Sequence, residues 1–226
     1  MNIVYILTSN FVDKALPSMR SVLKHNPKAK IYLLTETDSV DIDIPVTVVN
    51  VSGQQYFGRD CVNIRNLFGG YINLLKVCYP ELLKLKKVIH LDADTIVCGS
   101  LEEMWKTDLT GKWFAAVRED KGRYHPFGKA YYNMGVALIN LEQMRKDGIV
   151  PDMVNYLNTV KQPYADQDAW NKYAIEQDKA VALPVKWNEN FATGKTDEPV
   201  IVHYCGIGDW WTNKSMARRE YLERYL

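Results

Sequence analysis

Strand, helix and strand follow one another within about the first 35 residues of this chain, and that succession constrains the fold more than any other feature. Ile3 to Leu7 is an uninterrupted apolar run, the pattern of a strand covered on both faces. A helix is predicted from Asp13, as its cap, to about His25, with Leu16, Met19, Val22 and Leu23 on one stripe and Pro17 in the first turn, where proline is tolerated. Asn26-Pro27 stops it, and Ile31 to Leu34 follows as a second strand. Strands alternating with helices imply an α/β fold with parallel strands. Further strands are expected over 46–51, 88–91, 114–117, 136–140, 180–183 and 200–203. Helices are expected over 63–83 (with a break near Pro80), 141–147, 151–160, 166–175 and 212–225. Ser100 with Glu103 three residues on reads as a capping box. With no repeat or linker in view, the expectation is a single domain over 1–226.

Composition narrows the classes of function. Hydrophobic residues make up 47% of the 226 and charged ones 24%, which suits a globular core and excludes wholesale disorder. Twenty-eight Lys and Arg against 27 Asp and Glu leave a net charge of +1, so no nucleic-acid partner is expected. No apolar stretch approaches the ~18 residues of a transmembrane helix. Met1 to Leu7 lacks a basic leader and reads as a strand rather than a secretory signal. The cysteines, Cys61, Cys78, Cys98 and Cys205, form no C-x-x-C pair, so a reduced, cytoplasmic protein without a zinc site on those thiols is expected.

Asp-x-Asp occurs at Asp41/Asp43, Asp92/Asp94 and Asp166/Asp168, and context separates the three. The first lies in a charged, loop-like stretch. Asp92-Ala93-Asp94 follows the buried run Val88 to Leu91 directly, at a strand's carboxyl end, where open α/β sheets bind ligands. Two carboxylates there repel unless a hard cation such as Mn2+ or Mg2+ joins them, and such ions share their coordination with substrate phosphates. The alternative is a pair of turn aspartates capping the next segment. Asp166-Gln167-Asp168 opens a helix, where Asp serves as cap and dipole partner or where its carboxylates bind sugar hydroxyls. His203 ends a strand before a glycine-containing turn, Tyr204 to Gly208, and reads as either a satisfied polar residue or a phosphate or metal contact. Residues 118–130, polar and glycine-containing between two strands, are expected to form a lid or cleft wall, or an ordinary surface loop.

In order along the chain, these segments resemble the retaining nucleotide-sugar glycosyltransferases of family 8, the group that includes glycogenin. Ile6-Leu7-Thr8-Ser9-Asn10-Phe11 resembles the family's strand-end nucleotide site, and Lys76 stands where the family places a donor-binding base. His90-Leu-Asp92-Ala93-Asp94 resembles its metal segment, and Tyr132-Asn133-Met-Gly135 its Asn-x-Gly strand near the donor sugar. Asp166-Gln167-Asp168 resembles its active-site segment, and His203-Tyr-Cys-Gly206 its C-terminal His-x-x-Gly.

The resemblance implies a GT-A-type α/β fold, a Rossmann-like mixed sheet flanked by helices. The donor would bind mainly through residues 1–98, and sugar and acceptor through 99–226. It implies transfer of a hexose from a UDP-sugar to a hydroxyl of a glycan or lipid-linked acceptor, with retention at the anomeric carbon. Asp92, Asp94 and His203 would hold Mn2+ or Mg2+. Leu7, Thr8, Asn10, Phe11, Lys76, Ala93, Asn133, Gly135 and Gly206 would hold the donor, and Asp166, Gln167 and Asp168 would serve the chemistry. One departure stands out. Asp209 occupies the place of the family's diphosphate-binding lysine, so Lys76 with Lys214 or Arg218 is expected to compensate, Lys214 from the start of the last helix. The alternatives are a nucleotide-sugar-binding protein with weak or no transferase activity, and a metal-dependent nucleotidyltransferase. The latter would need a basic glycine-rich loop where Thr8 to Phe11 stand.

Overall fold

The computed structural model describes residues 1–64, 70–119, 130–206 and 208–226. Its sheet has seven strands in the order β3-β2-β1-β4-β7-β6-β8. These are β1 (Asn2–Ile6), β2 (Lys30–Thr35), β3 (Val46–Asn50), β4 (Lys87–Leu91), β6 (Phe114–Arg118), β7 (Tyr132–Asn140) and β8 (Ala180–Leu183). β1 pairs in parallel with β2 and β4, β2 with β3, and β6 with β8, whereas β7 runs antiparallel to both β4 and β6. A separate antiparallel ribbon joins β5 (Thr95–Val97) to β9 (Ile201–His203). The fold class expected from the sequence, a mixed sheet flanked by helices, is the one observed.

Alternation along β1 explains why its apolar run is continuous. Val4 and Ile6 face one core, with Leu75, Phe114 and Trp170. Ile3 and Tyr5 face the other, with Val12, Met19 and Val22 of helix α1 (Val12–His25). Both sides of the strand are covered, so neither can be polar. A third, smaller core joins Ile96 and Val202 of the ribbon to Tyr204, Trp210, Met216 and Leu222.

The chain turns from β1 to β2 on one side of the sheet, while β4 joins β1 on the other. The carboxyl ends of β1 and β4 therefore flank a topological switch point, the crevice in which open α/β sheets bind ligands. Val4 lies opposite His90, so β4 runs out at Asp92 beside the end of β1.

Several local expectations are corrected. α1 is entered through a short 3-10 turn, Ser9–Phe11, and Asp13 sits inside its first turn instead of capping it. The helix expected over 63–83 falls partly on residues 65–69, outside the described residues; beyond them Ile72–Cys78 is a 3-10 segment that passes into α2 (Tyr79–Leu82). Pro80 falls in the first turn of α2, where its missing N–H costs nothing, so it opens this helix instead of breaking one. Helix α3 (Glu102–Trp105) is one turn long. Ser100 accepts only from the Glu102 N–H, and no capping box forms. Helices α4 (Leu141–Asp147), α5 (Val150–Thr159) and α6 (Asp166–Glu176) fall close to where the sequence places them. The final helix does not. Residues 212–218 are turns, and α7 spans only Arg219–Leu222. Asp209 O accepts from Thr212 N and Asn213 N, Asn213 Oδ1 accepts from Ser215 N, and Arg218 takes a left-handed φ of 64°. The Asn213 side chain and the left-handed backbone of Arg218 interrupt helical pairing, while Trp210 and Met216 are drawn into the third core.

Candidate active site

Backbone register assembles the site before any side chain is considered. β4 pairs with β7 so that Asp92 N donates to Gly135 O at 2.8 Å. β5 pairs with β9 so that Thr95 lies opposite His203, and Tyr204 N donates to Asp94 O at 2.8 Å. Asp92 thus comes from the end of the large sheet, and Asp94 and His203 from the ribbon. One ligating atom from each of the three lies within 4.8 Å of the others. His203 Nε2 is 3.2 Å from Asp94 Oδ1 and 4.0 Å from Asp92 Oδ2. Gly135 permits this approach. A Cβ there would stand 2.2 Å from His203 Cε1 and 2.7 Å from Asp92 Oδ2.

The donor set of two carboxylates and one imidazole suits a divalent cation of the magnesium or manganese kind. Their electrostatics suit one too. Burial opposes charge on His203, but Asp94 and then Asp92 outweigh it and raise its pKa above the ordinary value. Burial would raise Asp92, yet the Lys76 ammonium and the His90 hydrogen bond hold its carboxyl well below the usual range. Asp92 Oδ1 accepts from Lys76 Nζ at 2.8 Å and from His90 Nε2 at 3.0 Å, and His90 Nδ1 accepts from the Tyr79 hydroxyl at 3.0 Å.

Beside this cluster opens a cleft of about 300 Å³, lined in part by Lys76, Asp92, Asn133, Gly135, Asp166 and Gln167. α6 points its first turn into it, packed on the 3-10 segment that carries Lys76. Lys76 Nζ lies 3.6 Å from Asp166 Oδ2, so one ammonium bridges two carboxylates. Burial, partly offset by Lys76 and reinforced by Asp92, pushes the Asp166 carboxyl up to about 6. Gln167 is held at both ends of its amide. Its Oε1 accepts from Met134 N at 2.9 Å and its Nε2 donates to Glu119 Oε1 at 3.2 Å. Ala165, directly before Asp166, has φ 48°, an unfavourable backbone for a residue with a Cβ and one that sets the entry of α6 into the cleft.

Not every residue singled out in the sequence faces this cleft. Asp168 is fully buried behind it, accepting from the Tyr131 hydroxyl at 2.5 Å and from Tyr164 N at 2.8 Å. Its two oxygens are committed to Tyr131 and the cleft-lining Tyr164, and it does not line the cleft. Leu7, Thr8, Asn10 and Phe11 are gathered at the end of β1, outside the cleft lining. There Thr8 Oγ1 donates to Asn10 Oδ1 at 2.6 Å, and Glu36 Oε1 pins the turn by accepting from Ser9 N at 3.0 Å. Ala93 is half-buried between the two aspartates, and Gly206 is exposed with φ 77°.

The expected compensation for Asp209 is corrected in its structural premise. Lys214 is an exposed turn residue with no helix behind it, and Arg218 is committed to Glu189 (Nε to Oε1 2.7 Å) and to Thr196 O at 2.8 Å. Asp209 itself is exposed. Of the segment 118–130, residues 120–129 lie outside the described residues, as does Ile207. Among the described residues no helix is long and apolar enough to cross a membrane.

Sequence reasoning missed His90, Glu119, Asn188 and Asn190, which orient the residues it found. It also missed Lys14, whose ammonium lies 4.5 Å from the Phe11 ring centroid and 4.3 Å from that of Trp211, joining the end of β1 to the C-terminal segment. The i, i+3 spacing of Phe11 and Lys14 was a usable signal for the first half of that contact.

The family model of glycosyl transferase family 8 matches residues 2–215. The chain belongs to that family. Curated relatives include general stress protein A of Bacillus subtilis, 28% identical over 67% of this chain, and the glycosyltransferase GlyA of Streptococcus pneumoniae, 25% identical over 98% of it. The chain spans 62% of the former's length and 33% of the latter's. Among solved structures, the galactosyltransferase LgtC in complex with donor and acceptor sugar analogs superposes with a TM-score of 0.72. It is 19% identical and covers 100% of this chain and 94% of its own, a likeness of GT-A fold. This family 8 chain thus carries an acidic and imidazole cluster at its switch point, on a fold shared with glycosyltransferases.

Proposed function

We propose that this chain is a retaining hexosyltransferase that moves a hexose from a UDP-sugar to a hydroxyl of a glycan or lipid-linked acceptor. The observation that carries the reading is the convergence of Asp92, Asp94 and His203 within 4.8 Å at the mouth of a polar cleft. A divalent cation bound there supplies Lewis-acid charge against the negative charge that grows on the departing diphosphate. The chain's own residues do the rest. Lys76 brings a second positive charge, kept protonated because Asp92 and Asp166 outweigh its burial. Asp166, Gln167 and Asn133 offer carboxyl and amide groups to the sugar hydroxyls. The end of β1, with Leu7, Thr8, Asn10 and Phe11, offers backbone and small polar groups to the uracil edge, and Gly206 leaves room for backbone approach to the phosphates.

Retention needs either a nucleophile beneath the anomeric carbon or attack on the face from which UDP leaves. Asp168 is walled off by Tyr131 and Tyr164, and Asp166 is paired with Lys76. That favours same-face attack by the acceptor, with a phosphate oxygen taking its proton.

The test is product analysis with radiolabelled UDP-hexoses and a panel of glycan and lipid-linked acceptors, with Mn2+ and with EDTA. Transfer that stops with EDTA and returns with Mn2+ supports the reading. Binding without turnover supports a nucleotide-sugar-binding protein. Release of pyrophosphate in place of UDP would point to nucleotidyl transfer.

A further inference from the structure

Behind the Asp92–Asp94–His203 cluster stands a row of buried amides, of which the reaction above uses only Asn133. Glu189 N donates to Ile201 O, and His203 N donates to Glu189 O, each at 2.9 Å. This pairing lays the segment 188–190 along β9 and sets Asn188 Oδ1 2.9 Å from His203 Nδ1. Asn188 is 0% exposed, Asn133 2% and Asn190 7%, so solvent cannot stand in for a missing partner.

The direction of each hydrogen bond in the row follows from its ends. Asn190 Oδ1 accepts two backbone N–H groups, from Ala192 at 2.8 Å and Thr193 at 3.0 Å. Its amide nitrogen therefore faces Asn188 and donates to Asn188 Oδ1 at 2.9 Å. At the other end, Asn133 Oδ1 accepts the Gly135 N–H at 3.1 Å, while Asn133 Nδ2 donates to the Glu119 carboxylate at 2.8 Å. The Asn133 oxygen thus faces Asn188 and accepts from Asn188 Nδ2 at 2.9 Å. Two independent backbone anchors give Asn188 the same orientation, with its nitrogen toward Asn133 and its oxygen toward Asn190 and His203.

An amide oxygen only accepts, so His203 Nδ1 must carry the hydrogen. The consequence falls on the other nitrogen. Were Asn188 free to turn, a neutral His203 could take the opposite tautomer and donate Nε2–H to Asp94, closing the cluster without any cation. With Nδ1–H fixed, the Nε2 lone pair faces two carboxylates, an arrangement only a positive charge relieves. We propose that Asn188, itself oriented by Asn190 and Asn133, is a positioning residue that locks His203 in the Nδ1–H tautomer and so keeps Nε2 a ligand. The identity of the cation rests on the functional reading above, whereas the tautomer does not.

The test uses the whole chain and two variants, Asn188→Leu and Asn188→Asp. The first removes the acceptor at similar volume, and the second keeps an oxygen toward Nδ1. Two-bond nitrogen–proton NMR correlations of metal-free protein, at a pH that leaves the ring neutral, report the tautomer, with His203→Gln identifying the signal. Mn2+ titration followed by electron paramagnetic resonance reports affinity. Wild type and Asn188→Asp should show Nδ1–H. Asn188→Leu should shift toward Nε2–H and bind Mn2+ about tenfold or more weakly, the scale of other lost ligand-orienting contacts. Loss of general packing would weaken both variants alike and leave the tautomer unmoved. Nε2–H in the wild type overturns the inference, and so does unchanged Mn2+ affinity in a folded Asn188→Leu. If Asn188→Leu does not fold, the wild-type and Asn188→Asp tautomers still decide. A wild type that shows Nδ1–H but binds no Mn2+ overturns the metal reading and leaves the tautomer lock standing.

Discussion

The absence of a side chain at residue 135 is as much a part of the site as any side chain present. Gly135→Ala should push His203 and Asp92 apart, at an overpacking cost of about 1–3 kcal/mol. Mn2+ affinity is expected to fall by more than thermal stability does, and unchanged Mn2+ binding in this variant would contradict the cluster. His203 gives a pH dependence with a definite sign. Its pKa in the metal-free fold is raised above 6.5 by Asp94 and Asp92 in spite of burial. Its stabilising contribution is thus present below that value and lost as pH rises through the folded pKa. A metal competes with the same proton, so Mn2+ affinity should climb with pH over that window and then level off, as pH-resolved titrations would record. Asp166 runs the other way from an ordinary carboxylate. With its folded pKa pushed to about 6 from 3.8, its ionisation costs stability as pH rises between those values. Asp166→Asn should remove that loss. Its melting temperature relative to wild type should rise across that interval and stay constant above it, and a flat difference throughout would rule the shift out.

Among the elements, the strands were legible because their apolar runs answer to one constraint, a two-sided cover, that the sequence states directly. Ile3 to Leu7 and Val88 to Leu91 needed no further information. The last segment was not legible. Lys214, Arg218, Arg219 and Arg224 resemble the polar face of a helix, but Trp210, Met216 and Leu222 are claimed by a small core built on Ile96 and Val202 of the paired β5 and β9. Tertiary burial overrode local propensity there. Asp92, Asp94 and His203 could be picked out because carboxylates at strand ends are chemically conspicuous, whereas Asn188 and Asn190 could not, since an asparagine after Trp187 looks like any turn residue. Whether Asp168 or Asp166 faced the cleft depended on the rotation of α6, set by the φ of Ala165. The ribbon's dependence on the third core is testable. Trp210 is buried and stacks on Tyr204 at 6.1 Å between centroids, and Tyr204 adjoins His203. Trp210→Ala should cost about 3–5 kcal/mol in denaturant unfolding and weaken Mn2+ binding. Full Mn2+ affinity with lowered stability would show that the ribbon holds its ligands without that core.

For the whole molecule, ligand and fold are linked. UDP with Mn2+ at about a hundred times its dissociation constant should stabilise the native state by about 2.7 kcal/mol. UDP should raise the melting temperature more than GDP or ADP does, and equal shifts from all three would contradict a uridine-selective strand end. The layout of the cluster carries a mechanical consequence as well. Asp92 belongs to the seven-stranded sheet and His203 to the two-stranded ribbon, more than a hundred residues apart in sequence. An ion gripped by both is a clip between two pieces of architecture, a removable counterpart of a disulfide closing a very long loop. Such a closure gains most when the loop is long, because an unfastened chain of that length has the most freedom to lose. Chelation would then do more than silence a reaction: it would leave the far strand of the ribbon, with Tyr204 and the tryptophans beyond it, tied to the segment that carries Asp92 by backbone pairing and packing alone.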